Sequence, residues 1–455
     1  MTQESMPRLF GSDGIRGEAV KYPLDAKTLC RLGRVLGELL TEGNPIRVLI
    51  GGDTRESSPR IASLLAAGLR EAHTEVTYAG VITTPAAALL TRQDGFHAGV
   101  MISASHHPYH DNGIKIFSPQ GTKLDDSLER KIEEGLQNQM AAESPPSVPT
   151  PLSPPLSPDG KLRKRYVDYL AHLIPAGLNL SRIRLVIDCA NGAASEVAPL
   201  LAETLKLNCF FIHRSPDGEN INRNCGSLYP EQMAQTLTER GADLGVALDG
   251  DADRAIFSTQ KGRVTDGDGV LWLASRYLKQ KGKLAGDHVV GTVMTNYGLE
   301  QGLRRQGIRL TRTAVGDKNV LEEMHRSGAK LGGEPSGHVI FSDFATTGDG
   351  LVTFLMLLRI MAEEGKSLGE LVADLRMLPQ VIQNVGVKNK PPLDSVAPVR
   401  ETLERCEEAL GTRGRIVLRY SGTEPLVRVM VEAEDEDEVN RIAEQLAESV
   451  RRNLS

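Results

Sequence analysis

At 455 residues the chain is too long for one hydrophobic core and predicts about three domains of ~150 residues each. The composition is that of an ordinary globular protein, 40% hydrophobic and 25% charged, and 45 glycines suit an α/β protein with ligand loops. A net charge of −6 argues against a nucleic-acid surface, and no run approaches the ~18 apolar residues of a membrane span. Five cysteines without a CxxC pair, and no signal-peptide core over residues 1–9, predict reduced thiols and a cytoplasmic location.

In chain order, Phe10-Gly-Ser-Asp-Gly-Ile-Arg-Gly17 sets three glycines around Arg16. That is either a phosphate-holding loop or a turn with a solvated arginine. A helix is expected over 26–40, from leucines at 29, 32, 36 and 39. A strand over 46–50 then closes on Gly51-Gly-Asp-Thr-Arg55, and Pro59 opens a helix over 60–72. This alternation indicates a βαβ unit with a largely parallel sheet. The run 100–102 reads as a buried strand that stops at Ser103-Ala-Ser105, with His106 and His107 next. Pro108 and Asn112-Gly113 mark turns, and Lys115 lies ten positions beyond Ser105. Ligands sit beyond the carboxyl ends of such strands, so Ser105 is delivered to a site; a polar loop with chance histidines fits as well. A charged helix over 125–139 leads into residues 144–158, whose seven prolines mark a domain boundary.

A second α/β unit has a helix over 162–173, a strand over 184–187 ending in Asp188-Cys-Ala-Asn-Gly192, and a strand over 244–248 ending in Asp249-Gly-Asp-Ala-Asp-Arg254. A third begins near Ala255 and carries a helix over 270–280, a strand over 288–294, the loops 314–319 and 332–338, and a helix over 351–364. The strand-then-loop design recurs three times. The tail differs: strands over 380–387, 414–418 and 426–431 with helices over 395–410 and 435–452 make a smaller α+β unit. The expected domains are 1–150, 151–254, 255–370 and 371–455.

Several stretches carry chemistry. Asp249, Asp251 and Asp253 alternate, and in an extended loop they share a face. Like carboxylates repel unless a cation joins them, and an all-oxygen set suits Mg²⁺. Arg254 is placed to grip a phosphate on that ion. A calcium loop of EF-hand type is excluded, because its sixth and twelfth positions hold Arg254 and Gln260. Arg419-Tyr-Ser-Gly-Thr-Glu-Pro425 with Arg428 offers hydroxyls, backbone N–H groups and guanidiniums to an anion, or forms a plain hairpin turn. Gly333-Glu-Pro-Ser-Gly-His338 mixes an acid, a hydroxyl and an imidazole, as sugar sites do. Lys318 in Ala314-Val-Gly-Asp-Lys318 is a candidate acid or phosphate contact. Trp272 reads as core.

Together, Ser105-His106, Asp249 to Arg254, Gly333 to His338 and Arg419 to Pro425 resemble the α-D-phosphohexomutases, in that family's order and approximate spacing. The resemblance runs from Phe10 to Val431. It implies three topologically similar mixed α/β domains (phosphoserine, metal-binding and sugar-binding) plus a smaller C-terminal α+β phosphate-binding domain around a central cleft. Ser105 is then the phosphoserine. Ser105, Asp249, Asp251 and Asp253 bind Mg²⁺, and His106, Lys115 and Arg254 take part in catalysis. Glu334, Ser336 and His338 meet the sugar; Arg16, Lys318, Arg419, Ser421, Gly422, Thr423 and Arg428 meet substrate, chiefly its phosphate. The implied activity interconverts hexose 6-phosphate and 1-phosphate, with glucosamine phosphate as the expected sugar and glucose or mannose phosphate as the alternative. A sugar 1,6-bisphosphate is the expected activator. The expected partners are small sugar phosphates and a second copy of the chain as a homodimer, with no nucleic acid and no membrane. His107, where the family usually has Asn, Ala252, where it has Gly, and Pro335 and Tyr420, at variable positions, depart from the pattern without removing a ligand or nucleophile. A metal-dependent sugar phosphatase would use the same loops but leaves a phosphate cradle on a separate domain without a purpose.

Overall fold

The computed structural model describes residues 8–11, 13–40, 45–142, 155–421 and 425–454. The proline-rich boundary falls mostly outside these, as do Gly422 and Thr423. No helix among the described residues is long and apolar enough to cross a membrane.

One strand order is used three times. The first sheet contains Phe10–Gly11 (β1), Gly14–Glu18 (β2), Arg47–Gly52 (β3), Glu75–Val81 (β4), Ala98–Ile102 (β5) and Asp111–Phe117 (β6), ordered β1-β2-β6-β5-β3-β4. The second contains Arg184–Asp188 (β7), Asn208–Ile212 (β8), Leu244–Leu248 (β9), Ala255–Thr259 (β10) and Val264–Thr265 (β11), ordered β11-β10-β9-β7-β8. The third contains His288–Thr292 (β12), Arg309–Thr313 (β13), Leu331–Gly333 (β14) and Val339–Phe341 (β15), ordered β13-β12-β14-β15. In each, three parallel strands are followed by one antiparallel strand: β4-β3-β5 then β6, β8-β7-β9 then β10, β13-β12-β14 then β15. The central strands β5 and β9 are buried along their whole length, as parallel strands covered on both faces must be.

The hairpin from the third parallel strand to the antiparallel one therefore occupies an equivalent position in all three sheets. Those hairpins are residues 103–110, 249–254 and 334–338, the stretches singled out above for chemistry.

Two expectations need correction. The strand beginning at Ala255 pairs antiparallel with β9, Ala255 opposite Leu248, so the boundary expected there cuts through the second sheet. Residues 111–117, read as a turn followed by an isolated lysine, form β6. The Asn112 amide is buried and donates to the hydroxyls of Ser57 (2.8 Å) and Ser58 (3.2 Å), which overrides the Asn-Gly turn signal.

One apolar core runs through all three α/β units, from Leu49 to Leu375. Helix Gly350–Glu364 lies within it, buried on most sides and capped by Asp349, which accepts from Leu351 N and Val352 N. The C-terminal unit has its own core: the antiparallel sheet of Gln380–Gly386 (β16), Gly414–Tyr420 (β17) and Leu426–Ala433 (β18) packs on helices Ala397–Leu410 and Glu436–Leu454. A polar seam joins it to the third unit. Arg415 pairs with the fully buried Glu432 at 2.7 Å and donates to Thr295 O at 3.0 Å, and Glu432 accepts from Tyr297 N at 3.3 Å.

Candidate active site

Ser105 sits at the tip of the β5–β6 hairpin in the left-handed region, φ 53°, which an L-residue adopts only when its surroundings enforce it. Here they do. Its N–H donates to Ser103 Oγ at 2.9 Å, and its carbonyl accepts from Arg55 Nη2 (3.1 Å) and Asn222 Nδ2 (2.8 Å). Those two side chains also hold His107 O, each at 2.9 Å, and Arg55 bonds Pro108 O. Arg55 is itself fixed by Asp53, at 2.9 Å, with no side-chain exposure on either partner. On the far side, Gly250 comes so close that a Cβ there would lie 2.5 Å from Ser105 O. The hydroxyl is thereby aimed at the second hairpin, where Ser105 Oγ donates to Asp249 Oδ2 at 2.5 Å.

The three aspartates converge through a turn, not through the alternation of an extended loop. Ala252 N bonds Asp249 O at 3.0 Å and Ala252 has φ 57°. One oxygen from each carboxylate lies within 4.8 Å of the others, and all three residues are buried. Thr84 donates from the first unit to Asp251 Oδ2. Burial, then repulsion from Asp253 and Asp251, raises the Asp249 carboxyl well above its usual range. At Asp253 burial pushes the same way, but Lys115 and His338 outweigh it and hold the carboxyl well below that range.

Lys115 reaches this cluster because it lies in a strand. Ile114 and Ile116 enter the core of the first unit, and period-two alternation turns Lys115 to the opposite face. Its Nζ lies 2.8 Å from Asp251 Oδ2, 3.0 Å from Asp253 Oδ2 and 3.3 Å from Asp13 Oδ2. Burial alone would lower its pKa; Asp13, Asp251 and Asp253 outweigh that and hold the ammonium well above its usual value. Asp13 also pairs with Arg16 and Lys123, and Lys123 reaches Asp317 of the third unit at 2.5 Å. His106 Nδ1 is 3.3 Å from Ser105 Oγ. Burial, then the charges of Arg254, His107 and Arg16, depresses its pKa to about 3, so the ring is neutral near pH 7.

The third hairpin closes the group. His338 Nδ1 lies 3.6 Å from Asp253 Oδ1, and its Nε2 accepts from Gly348 N at 3.0 Å, which places the ring proton on Nδ1. Glu334 Oε1 accepts from Gly316 N at 3.0 Å. Ser336 Oγ, Arg16 Nε, Arg254 Nε, Asp251 Oδ1 and Asp253 Oδ1 are buried without a hydrogen-bond partner. Such a set of unsatisfied hydroxyl, guanidinium and carboxylate groups fits a polar anion together with a cation.

Ser105, His106, Lys115, Asp249, Asp251, Asp253, Arg254 and His338 are thus brought together. Lys318 is drawn elsewhere, to Asp126 (2.5 Å) and Glu129 (3.6 Å) on helix Asp126–Ala142 of the first unit. Arg419 and Arg428 stand opposite each other on β17 and β18 and line a 260 Å³ groove with Met294 and Asn384. Burial, then Arg428, lowers the Arg419 pKa, as two guanidiniums facing one anion site would. Ser421 O accepts from Lys390 Nζ at 2.8 Å. His107 pairs with Asp111 at 3.0 Å. Sequence reasoning missed Asp13, Arg55, Thr84, Lys123, Asn222 and Asp317. Asp13, Arg55 and Asp317 carried a local signal, each in a glycine-containing stretch already singled out; Thr84, Lys123 and Asn222 carried none.

Comparison with known proteins agrees along the whole chain. Models of the phosphoglucomutase/phosphomannomutase family match residues 7–143 (alpha/beta/alpha domain I), 164–262 (domain II), 266–377 (domain III) and 383–449 (C-terminal domain). A phosphoglucosamine mutase of Koribacter versatilis is 50% identical over 452 residues, covering 98% of this chain and 96% of the relative. That of Solibacter usitatus is 48% identical, covering 98% and 99%. Among solved structures, a phosphoglucomutase/phosphomannomutase family protein from Burkholderia thailandensis superposes with a TM-score of 0.79 at 22% identity, covering 98% and 97% of the two chains. Aspergillus fumigatus N-acetylphosphoglucosamine mutase, solved with GlcNAc-6P and magnesium, gives 0.62 at 18% identity, covering 98% and 96%. The chain belongs to the phosphoglucomutase/phosphomannomutase family and is a phosphohexomutase, an enzyme acting on small sugar phosphates.

Proposed function

We propose that the chain interconverts glucosamine 6-phosphate and glucosamine 1-phosphate, with Ser105 carrying the phosphoryl group and Mg²⁺ seated on Asp249, Asp251 and Asp253. The observation that carries this reading is the 2.5 Å contact of Ser105 Oγ with Asp249 inside a turn of three buried carboxylates. The sugar is supported by the names of the relatives, which are near 50% identical over nearly the full length. The unsatisfied Asp251 Oδ1 and Asp253 Oδ1 fit a hard cation. When bound, such an ion neutralises charge on the transferring phosphoryl group.

Phosphoryl transfer needs positioning and charge compensation more than covalent activation. Phosphorylated Ser105 passes its group to a free hydroxyl of the sugar phosphate, and the serine oxygen regains a proton. Lys115, held as an ammonium by its aspartates, gives a proton toward the departing serine oxygen as it takes that of the attacking hydroxyl, so its positive charge stays beside the transferring group. Neutral His106 and Arg254 orient the phosphoryl oxygens. The sugar 1,6-bisphosphate then turns over and returns its other phosphate to Ser105. Glu334, Ser336 and His338 hold the sugar hydroxyls, while Arg16, Arg419, Arg428 and the 421–423 loop hold the distal phosphate in either orientation. Lys318, drawn to Asp126, reaches substrate only by leaving that pair. Because the cradle has its own core, it can withdraw while the sugar turns.

The test is a coupled assay of glucosamine, glucose and mannose phosphates side by side, with free phosphate measured in parallel. Isomer formation is expected with glucosamine phosphate preferred, and a fall on the order of 10⁴-fold or more in Ser105→Ala. Near-native activity of that variant, or release of phosphate in place of isomer, would overturn the assignment.

A further inference from the structure

We propose that Asp188, His213 and Cys225 form a second metal site, which takes a borderline-soft divalent ion of the Zn²⁺ class. Asp188 ends β7, His213 directly follows β8, and Cys225 lies in the loop before helix Glu231–Glu239. One carboxylate oxygen, one imidazole nitrogen and the thiol sulfur lie within 4.8 Å of one another. A tetrahedral zinc site needs its donors about 3.3–3.8 Å apart, so only a small closure separates this cluster from ligand geometry. Asp188 and Cys225 are 0% and 1% exposed.

The imidazole and the carboxylate already stand as neighbouring donors. His213 Nδ1 lies 3.0 Å from Asp188 Oδ2, and that contact raises the imidazole pKa against the effect of burial. Meanwhile Asp188 is oriented by two backbone donors, Ala190 N at 2.8 Å on Oδ1 and Gly226 N at 2.9 Å on Oδ2, as a ligating carboxylate is. The backbone around the cluster is strained as well. Ala190, Asn191, His213, Asn222 and Asn224 are five of the eleven non-glycine residues with positive φ among those described.

The donor set sets this site apart from the aspartate turn. Nitrogen and sulfur ligands do not suit Mg²⁺, whereas one imidazole, one thiolate and one carboxylate suit zinc with a fourth position open to water. Binding releases the Cys225 thiol proton to solvent and uses the neutral form of His213. Without a metal the thiol is inert, its pKa pushed up to about 12 by burial and by Asp188. A metal here would join β7, β8 and the 221–228 loop, from which Asn222 reaches forward to hold Ser105 O. Such an ion would pin the loop behind the reactive serine.

The test is Co²⁺ titration of the full chain, read by near-ultraviolet thiolate-to-cobalt charge transfer. Only a sulfur ligand gives that band, so Co²⁺ on the aspartate turn is silent in it. The expected result is a saturable band in the wild type, retained in Asp251→Asn and lost in Cys225→Ser. Should Cys225→Ser fail to fold by circular dichroism, His213→Asn decides, with loss or a clear shift of the band expected. Absence of the band in the wild type, its survival in folded Cys225→Ser, or an unaltered band in His213→Asn overturns the proposal.

Discussion

Around Ser105, the carbonyls of Ser105, His107 and Pro108 each accept from a side chain of another element. At the other end of the chain, Arg419 and Arg428 face each other across two strands of a sheet with its own core. The first region is held from every side, and its bonds come from two α/β units. The second meets the third unit where Arg415 donates to Thr295 O and Glu432 accepts from Tyr297 N. The difference matches two tasks. A group that gives and receives phosphoryl must be placed to a fraction of an ångström. A cradle that takes phosphate from either end of a sugar must yield.

Asp251→Asn strikes the rigid region hardest. It removes a partner of Lys115 and Thr84 and one of the three carboxylates. Turnover should fall ~10³-fold with its divalent-ion dependence weakened, as steady-state rates against Mg²⁺ concentration will show. An unchanged Mg²⁺ profile would separate Asp251 from the metal. Arg55→Ala tests the clamp itself. It leaves Asp53 buried and unpaired, so about 3–5 kcal/mol of stability should be lost in urea unfolding. A loss below about 1 kcal/mol would mean that Ser105 is held by something else. Arg419→Ala should raise KM ~10-fold and change kcat less, the mark of binding lost equally in ground and transition states. A fall confined to kcat would place Arg419 with the rigid region.

The smallest effect is on pH. Burial, first, and neighbouring cations lower the His106 pKa from 6.5 to about 3 in the folded state. Between those values the unfolded chain binds the proton more readily. The stability that comes from neutral His106 is therefore complete above about pH 6.5 and declines as pH falls toward 3. Unfolding midpoints measured from pH 7 to pH 4 should drop less steeply in His106→Asn than in the wild type; parallel slopes would remove His106 from the buried set.

Much of the rigid region was legible because its motifs are local. Ser105-His106 and Asp249 to Arg254 each follow an apolar run and need only a strand end to make sense. What lay hidden depended on pairing across the chain. Lys115 joins the site through a strand that an Asn-Gly signal disguised, and the Asn112 amide bonds that override it come from Ser57 and Ser58. The aspartates looked like an alternating stretch; a left-handed Ala252 folds them into a turn. Asn222 lies 117 positions from the serine it supports, and no nearby residue marks it. Lys318 had the right chemistry for a substrate contact, but its position beside a helix of another unit is a fact of domain packing.

The three hairpins occupy one slot in a repeated sheet, between the third parallel strand and its antiparallel neighbour. That slot acts as an address. Whatever side chain stands there is delivered to the same centre, whether a nucleophile, a metal ligand or a sugar contact. Specificity can therefore be rewritten in three short segments while the framework beneath them stays constant, and a change of sugar need leave no trace in the rest of the chain.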